Sequence, residues 1–287
     1  SPSQALREYI ESYWTLETDF SLDNELCLPD GSASLIFNFN PPHLRATCSR
    51  PGDWKLIEPI CLVHQGKEAI LIKDKSPVRI LGVRFKPYGM SPFFQVSMMD
   101  LPAPFLLQGN DLQAVVDAGN PAERFEDWQE KMLQTKDFSE RIALLEEHFQ
   151  ARLPHLPPPD ELAKSAVAAM VKSEGNLRIG DLLDELCVGK STLEKKFQEA
   201  VGLSPKILCN ILRFNSIIYN HARQPYPSLT EPTYNQGFFD QAHLVHNFKA
   251  FTGMPPGRFF RQDNRLVEMV RQTFEGRVSG MYGSLTN

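Results

Sequence analysis

The pattern of apolar and polar positions changes character along this chain, and the change divides it in two. Up to about residue 153, apolar residues come in short runs broken by turn formers. Ser34–Asn40 (SLIFNFN), Ala69–Lys73 (AILIK) and Val78–Lys86 (VRILGVRFK) are rich in β-branched and aromatic residues and flanked by Pro, Gly and Asp, so the pattern predicts strands. Pro29-Asp30-Gly31 is a turn signal. Two segments read otherwise. Gln4–Leu16 has apolar residues at 6, 9, 10, 13 and 14, and Phe138–Leu153 has them at 142, 145, 149 and 153, so each predicts a helix. The proline-punctuated stretch from Gly89 to Leu107 predicts packed turns or short helices.

From residue 160 onward the period is helical throughout. Asp160 is an N-cap with Glu161 in the first turn, opening a helix to about Ser173 that Gly175-Asn176 stops. Ile179–Leu186 and Ser191–Val201 follow, then a helix from Pro205 to Arg223 about 28 Å long at 1.5 Å per residue. Leu229–Gln236, a turn at Gly237, Asp240–Phe251 and a helix opened by Pro255-Pro256 complete the reading. Between the halves, Leu153–Asp160 holds four prolines in eight residues and predicts a stiff spacer. The expected architecture is therefore a strand-rich α+β N-terminal domain (1–153), a proline linker (154–159) and an all-α C-terminal domain (160–287).

Within the helical half lies a repeat. Leu193-Glu-Lys-Lys-Phe197 with Gly202-Leu-Ser-Pro205 recurs as Leu244-Val-His-Asn-Phe248 with Gly253-Met-Pro-Pro256. Leu and Phe four apart share one helix face, while Gly then Pro ends one helix and starts the next. Each copy is preceded by a short amphipathic segment and a tight turn, so the pattern predicts two helix-turn-helix units joined by the long helix. Periodicity alone also fits a helical array with no DNA partner. The outward faces separate the two readings. Lys190, Ser191, Thr192, Glu194, Lys195 and Gln198 in the first unit, and Gln241, Ala242, Val245, His246 and Lys249 in the second, suit base edges and phosphates. A helix that faces only solvent would more often carry Glu–Lys pairs.

Charge modifies this picture. The chain of 287 residues has a net charge of −5. Residues 1–159 carry 15 basic against 22 acidic side chains, and residues 160–287 carry 15 against 13, so the acidic excess belongs to the front. A net of +2 is modest for a DNA-binding module, which needs local positive charge. The five cysteines are scattered without a C-x2-C pair, arguing for reduced thiols and against a zinc site or disulfide framework. No long apolar run and no basic-then-apolar leader appear, so a cytoplasmic protein without a membrane partner is expected. No cofactor is implied.

Residues 160 to about 262 resemble the DNA-binding domain of the AraC/XylS family of bacterial transcription regulators. The second unit carries the resemblance: Gly237-Phe-Phe-Asp-Gln-Ala-His-Leu-Val-His-Asn-Phe-Lys249, then Thr252-Gly253-Met-Pro-Pro256, is similar to the family's G-F-x-D-x-[SA]-[HY]-F-x-[RK]-x-F-K…G-x-[ST]-P signature. The resemblance implies double-stranded DNA as partner, with each unit's second helix in the major groove. The long helix would then set the two windows about one DNA turn, roughly 34 Å, apart. The chain departs from the pattern in four places. Pro232-Thr233 stands where the family has Ile-Ala, and Cys187 where it has a turn glycine. Glu194 replaces a neutral or basic base-reader, and His246 replaces Arg or Lys.

The front half has a second likeness. Tyr13-Trp14, Leu28–Phe37 and Gly82–Met90 resemble a sensor domain found ahead of such modules, which implies a small-molecule effector, homodimerisation, or both. Trp14, Phe37 and Phe39, with Phe85, could line one cavity, and Arg84 could meet an anionic group there. Core filling by the rings and a buried ion pair at Arg84 explain the same residues. Two rival functions remain open. One is a DNA-repair enzyme with a cysteine acceptor, although no cysteine has the adjacent His that would activate it. The other is a regulator that has lost DNA binding and acts through protein partners.

Overall fold

A computed structural model describes residues 1–39, 44–48, 54–101, 106–119, 125–223 and 241–261. The N-terminal half is built on strands β1 (Ile10–Glu17), β2 (Leu22–Cys27), β3 (Ser34–Asn38), β4 (Arg45–Cys48), β5 (Lys55–Leu56), β6 (Ile60–Val63), β7 (Ile70–Asp74), β8 (Arg79–Phe85) and β9 (Leu106–Gln108). They form a five-stranded sheet in the order β1-β8-β3-β6-β9 and a four-stranded sheet in the order β2-β7-β4-β5, every pair antiparallel. Helices α1 (Met90–Phe94), α2 (Gly109–Gly119), α3 (Phe125–Gln134) and α4 (Phe138–Arg152) accompany them.

Strand alternation sorts the side chains into two layers. Leu35, Phe37, Leu81, Val83 and Phe85 pack with Phe93 of α1, Leu112 of α2, Met132 of α3 and Phe149 of α4, so helices back one face of the five-stranded sheet. Ile36, Ile80 and Trp14 point the other way and join Leu22, Ala46 and Ile72 of the second sheet. Arg152 is buried, and its guanidinium donates from Nη2 to the Phe93 carbonyl at 2.9 Å, tying α4 to the end of α1.

One expectation fails here. Gln4–Leu16 is not a helix: a short 3-10 turn at Leu6–Glu8 leads into β1. The pairing of β1 with β8 shifts register between Ile10 and Ser12. That irregularity puts Ile10 and Tyr13, three apart, on the same buried face, and so imitates helical spacing in a strand. Strands β2, β4, β5, β6 and β9 and helices α2 and α3 had no clear sequence signal. β2 (LDNELC) is half polar and contains Asn24 at φ 55°, which breaks its alternation.

The C-terminal helices lie close to where the periodicity placed them: α5 (Glu161–Lys172), α6 (Ile179–Glu185), α7 (Lys190–Val201), α8 (Pro205–Arg223), α9 (Gln241–Thr252) and α10 (Pro256–Phe259). The expected helix at Leu229–Gln236, the turn at Gly237 and Pro232 lie outside the described residues. Asp160 caps α5 by accepting from the Ala163 amide at 3.0 Å. The repeat glycines do equivalent work: Gly202 (φ 79°) and Gly253 (φ 74°) adopt the left-handed conformation just after α7 and α9, and each donates its N–H four residues back. Phe197 and Phe248 are fully buried, and Phe214 of α8 meets Phe248 at 4.9 Å and Phe251 at 5.1 Å between ring centroids.

The two halves share a core. Leu26, Ala69 and Tyr88 of the strand half are buried in the same cluster as Leu193, Phe197, Leu208 and Phe248. The proline segment is laid against the protein: Leu156 packs on the N-terminal core, Pro159 is buried, and the Tyr9 hydroxyl donates to the Pro157 carbonyl at 3.5 Å. Truncating Phe248 to Ala should cost about 3–5 kcal/mol, as for other fully buried aromatic rings. Thermal melting should show that loss in the C-terminal half together with loss of its cooperative transition; an unchanged melting temperature would place Phe248 outside the core.

Candidate nucleic-acid interface

Two helices present the surface in question. On α7, Leu193 and Phe197 point inward, while Lys190, Ser191, Thr192, Glu194 and Lys195 are exposed and Gln198 is half-buried. On α9, Leu244 and Phe248 point inward, Ala242, His246 and Lys249 are exposed, and Val245 is half-buried. Gln241 opens α9, its side chain lying outside the described ones. The 3.6-residue period thus places the inward and outward sets as read, except that Gln198 and Val245 sit at the margin of each exposed strip.

The charges on α7 are arranged differently from expectation. Lys190 lies 3.9 Å from Glu194, and Lys195 3.9 Å from Glu199, each four residues apart. These are the Lys–Glu pairs that a helix facing only solvent was expected to carry. They run in the weaker order, with Lys N-terminal to Glu, and such exposed pairs contribute about 0.2–1 kcal/mol at most. A phosphate can therefore compete for both ammonium groups. Lys196, absent from the outward set read from sequence, is also exposed and pairs with Asp160 at 3.3 Å. No spacing rule signals it, because its partner belongs to another helix.

The turn of the first unit explains one departure from the family pattern. Cys187, between α6 and α7, has φ 51°, the left-handed conformation that glycine adopts without penalty. Its Sγ–H reaches the Asp184 carbonyl at 3.5 Å.

The effector candidates do not converge. Trp14 stands opposite Gly82 in the β1–β8 pairing and packs between the two sheets. A Cβ on Gly82 would fall 2.1 Å from the indole, so the ring occupies the space that glycine leaves open. Phe37 and Phe39 stack at 6.5 Å on the opposite, helix-backed face, where Phe85 is also buried. The expectation of one cavity lined by all of them is corrected, because neighbouring strands place Trp14 on the far side of the sheet. Arg84 is buried and bonded to Glu11 at 3.0 Å and Asp30 at 2.9 Å. Burial opposes its charge, but the two carboxylates more than offset this, and its pKa is raised. A groove of about 650 Å³ lies instead where α1 and the segment after it meet α7, with Ser91, Gln95, Met99, Lys196 and Glu199 in its wall.

Comparison with known proteins bears on both halves. Residues 182–262 match the family described as a helix-turn-helix domain, and residues 1–103 match a domain of unknown function (DUF6597). The first of these spans falls within the stretch whose residues resemble the AraC/XylS DNA-binding domain. No curated protein matches the chain. Among solved structures the chain is similar to ToxT from Vibrio cholerae, at 12% identity over 86% of this chain and 97% of that one, with a TM-score of 0.46. A ToxT structure from Vibrio cholerae O395 gives 15%, 86%, 96% and 0.44, and the unsaturated fatty acid bound form from strain SCE256 gives 13%, 88%, 94% and 0.41.

Two expected outcomes follow from this surface. Lys195→Ala and Lys249→Ala should each weaken duplex binding, leave the melting temperature unchanged and lower the salt slope by about one unit. Titrations of both variants at several salt concentrations check this, and unchanged affinity in both would displace the surface from α7 and α9. Cys187→Gly should stabilise the protein by about 0.5–1 kcal/mol by relieving the left-handed backbone. Denaturant unfolding measures it, and a destabilised variant would show that the cysteine side chain matters more than the strain.

Proposed function

We propose that the protein is a sequence-specific DNA-binding regulator of transcription, in which α7 and α9 read two major-groove windows and the N-terminal domain controls them. The observation that carries this reading is the duplicated buried Leu/Phe seam with polar and cationic groups on the opposite face, inside a helix-turn-helix domain. At 19 residues, α8 spans about 28 Å, near the pitch of one DNA turn. Among the described residues no helix is long and apolar enough to cross a membrane. Control by a small molecule requires an effector that binds the DNA-competent and incompetent arrangements differently. Homodimerisation of the strand-rich domain belongs to the same reading.

The rival, a cysteine-acceptor repair enzyme, needs a thiolate near neutral pH. Burial works against that at three of the five cysteines, Cys187 being exposed: the Cys27 and Cys61 thiols are pushed up to about 12, and Cys209 to about 11. The experiment is titration of the full chain against the DNA upstream of its own coding sequence at two salt concentrations. Each phosphate neutralised contributes a slope of about 0.9, so several contacts should make affinity fall steeply with salt. Binding indifferent to salt would count against the regulator, and methyl transfer from alkylated DNA would favour the enzyme.

A further inference from the structure

An α-helix leaves its last four carbonyls without a partner inside the helix. In both candidate reading helices, one of these carbonyls is bonded by the N-terminal domain. The Met98 amide donates to the Glu199 carbonyl in the last turn of α7 at 2.9 Å. The Ala69 amide donates to the Phe251 carbonyl in the last turn of α9 at 2.6 Å. From these two bonds we infer that the N-terminal domain sets the separation and angle of the two reading helices, and so the spacing of the DNA windows they accept. This inference rests on the DNA-binding reading above.

Both donors belong to stiff parts of the same body. Ala69 is fully buried and immediately precedes β7, which is hydrogen-bonded on one side to β2 and on the other to β4. Met98 is buried in the helix-backed core, and the Asp100 amide closes a turn on the Ser97 carbonyl around it. The long helix is referenced to that body as well. Asn215 of α8 donates from Nδ2 to the Pro29 carbonyl at 3.1 Å, and Leu208 packs so closely on Gly31 that a Cβ there would lie 2.4 Å from its methyl. A backbone bond tolerates little stretch before it weakens, so neither reading helix can slide by about 1 Å without losing its tether. Without these tethers α9 would be positioned, among the described residues, by its ring packing on α8 and on Phe259 and Phe260, which fixes depth better than angle.

The consequence for DNA is geometric. One inserted base pair rotates the second window by about 34–36° and moves it by about 3.4 Å. Helices held at a fixed separation should follow that change poorly, and helices on looser mounts should follow it better.

The test uses the full-length protein and a duplex that the wild type enriches from random sequence. One or two base pairs are then inserted or removed between its two read segments. Ala69→Pro deletes one donor at a position ahead of a strand, where proline is accommodated. Met98→Pro deletes the other at the second position of a turn, where proline is favoured. Met98→Ala shortens the same buried side chain but keeps the amide, and serves as its control. Wild type and Met98→Ala should lose about tenfold in affinity per inserted base pair, the scale of a mismatched pair. Both proline variants should stay within about threefold. Equally steep profiles in both proline variants and the wild type would overturn the inference and leave α8 as the sole spacer. Should a proline variant lose its helical signal, an α-hydroxy acid at residue 69 or 98 replaces it, removing the donor N–H while keeping the side chain. A wild-type profile there is likewise contrary. Failure of the wild type to enrich any duplex would instead overturn the DNA-binding reading itself.

Discussion

Phe214 stands at the middle of α8 with its ring against Phe248 and Phe251 of α9, in a core that also holds Leu193 and Phe197 of α7. Through that packing the inward faces of both α7 and α9 are spoken for, and the outward faces follow from the 3.6-residue period without further choice. A ring cluster of this kind is directional only in part. Edge-to-face and tilted contacts near 5 Å hold the rings at a depth and leave rotation about the contact comparatively soft. What closes the remaining freedom is the strand-rich half, whose Leu26, Ala69 and Tyr88 complete the same core and whose amides reach the ends of α7 and α9.

Electrostatics enters as a secondary influence on this apolar frame. The protein is acidic overall, yet its acid is placed locally with different effects. Glu11 and Asp30 neutralise the one buried arginine of β8, whereas Glu194 and Glu199 lie beside exposed lysines at distances where water screens most of the attraction. The first pairing holds a fold together, and losing both carboxylates would strand a buried charge. The second costs little to break. An anionic polymer approaching α7 meets lysines whose charge is only loosely answered, so a modest net charge in the helical half is compatible with phosphate contact.

The sandwich-like half shows how a pattern that is correct locally can mislead. The spacing at 6, 9, 10 and 13 is that of a helix, but Leu6 lies in a 3-10 turn, and the strand puts Ile10 and Tyr13 on one face by a register shift between Ile10 and Ser12. Likewise, Phe37 and Phe39 do share a face, as alternation requires, while Trp14 lies across the sheet from them. Alternation relates residues along one strand. It says nothing of which face a different strand presents until pairing is known.

Among the described residues, the one-dimensional pattern determined the helical half almost completely. Caps at Asp160, left-handed glycines at 202 and 253, prolines at 205 and 256 and the Leu/Phe seam are all local, and local rules place each helix and its buried face to within a residue or two. The division into a strand-rich and a helical part was legible for the same reason. Tertiary structure alone decided the pairing of β1 and the order of the sheets. It alone placed Arg84 with Glu11 and Asp30, and Lys196 with Asp160. It alone inserted Ala69 and Met98 at the ends of helices more than 100 residues further along the chain. Those contacts join residues with no fixed separation in sequence, and their strength comes from burial and distance that exist only once the two halves have packed.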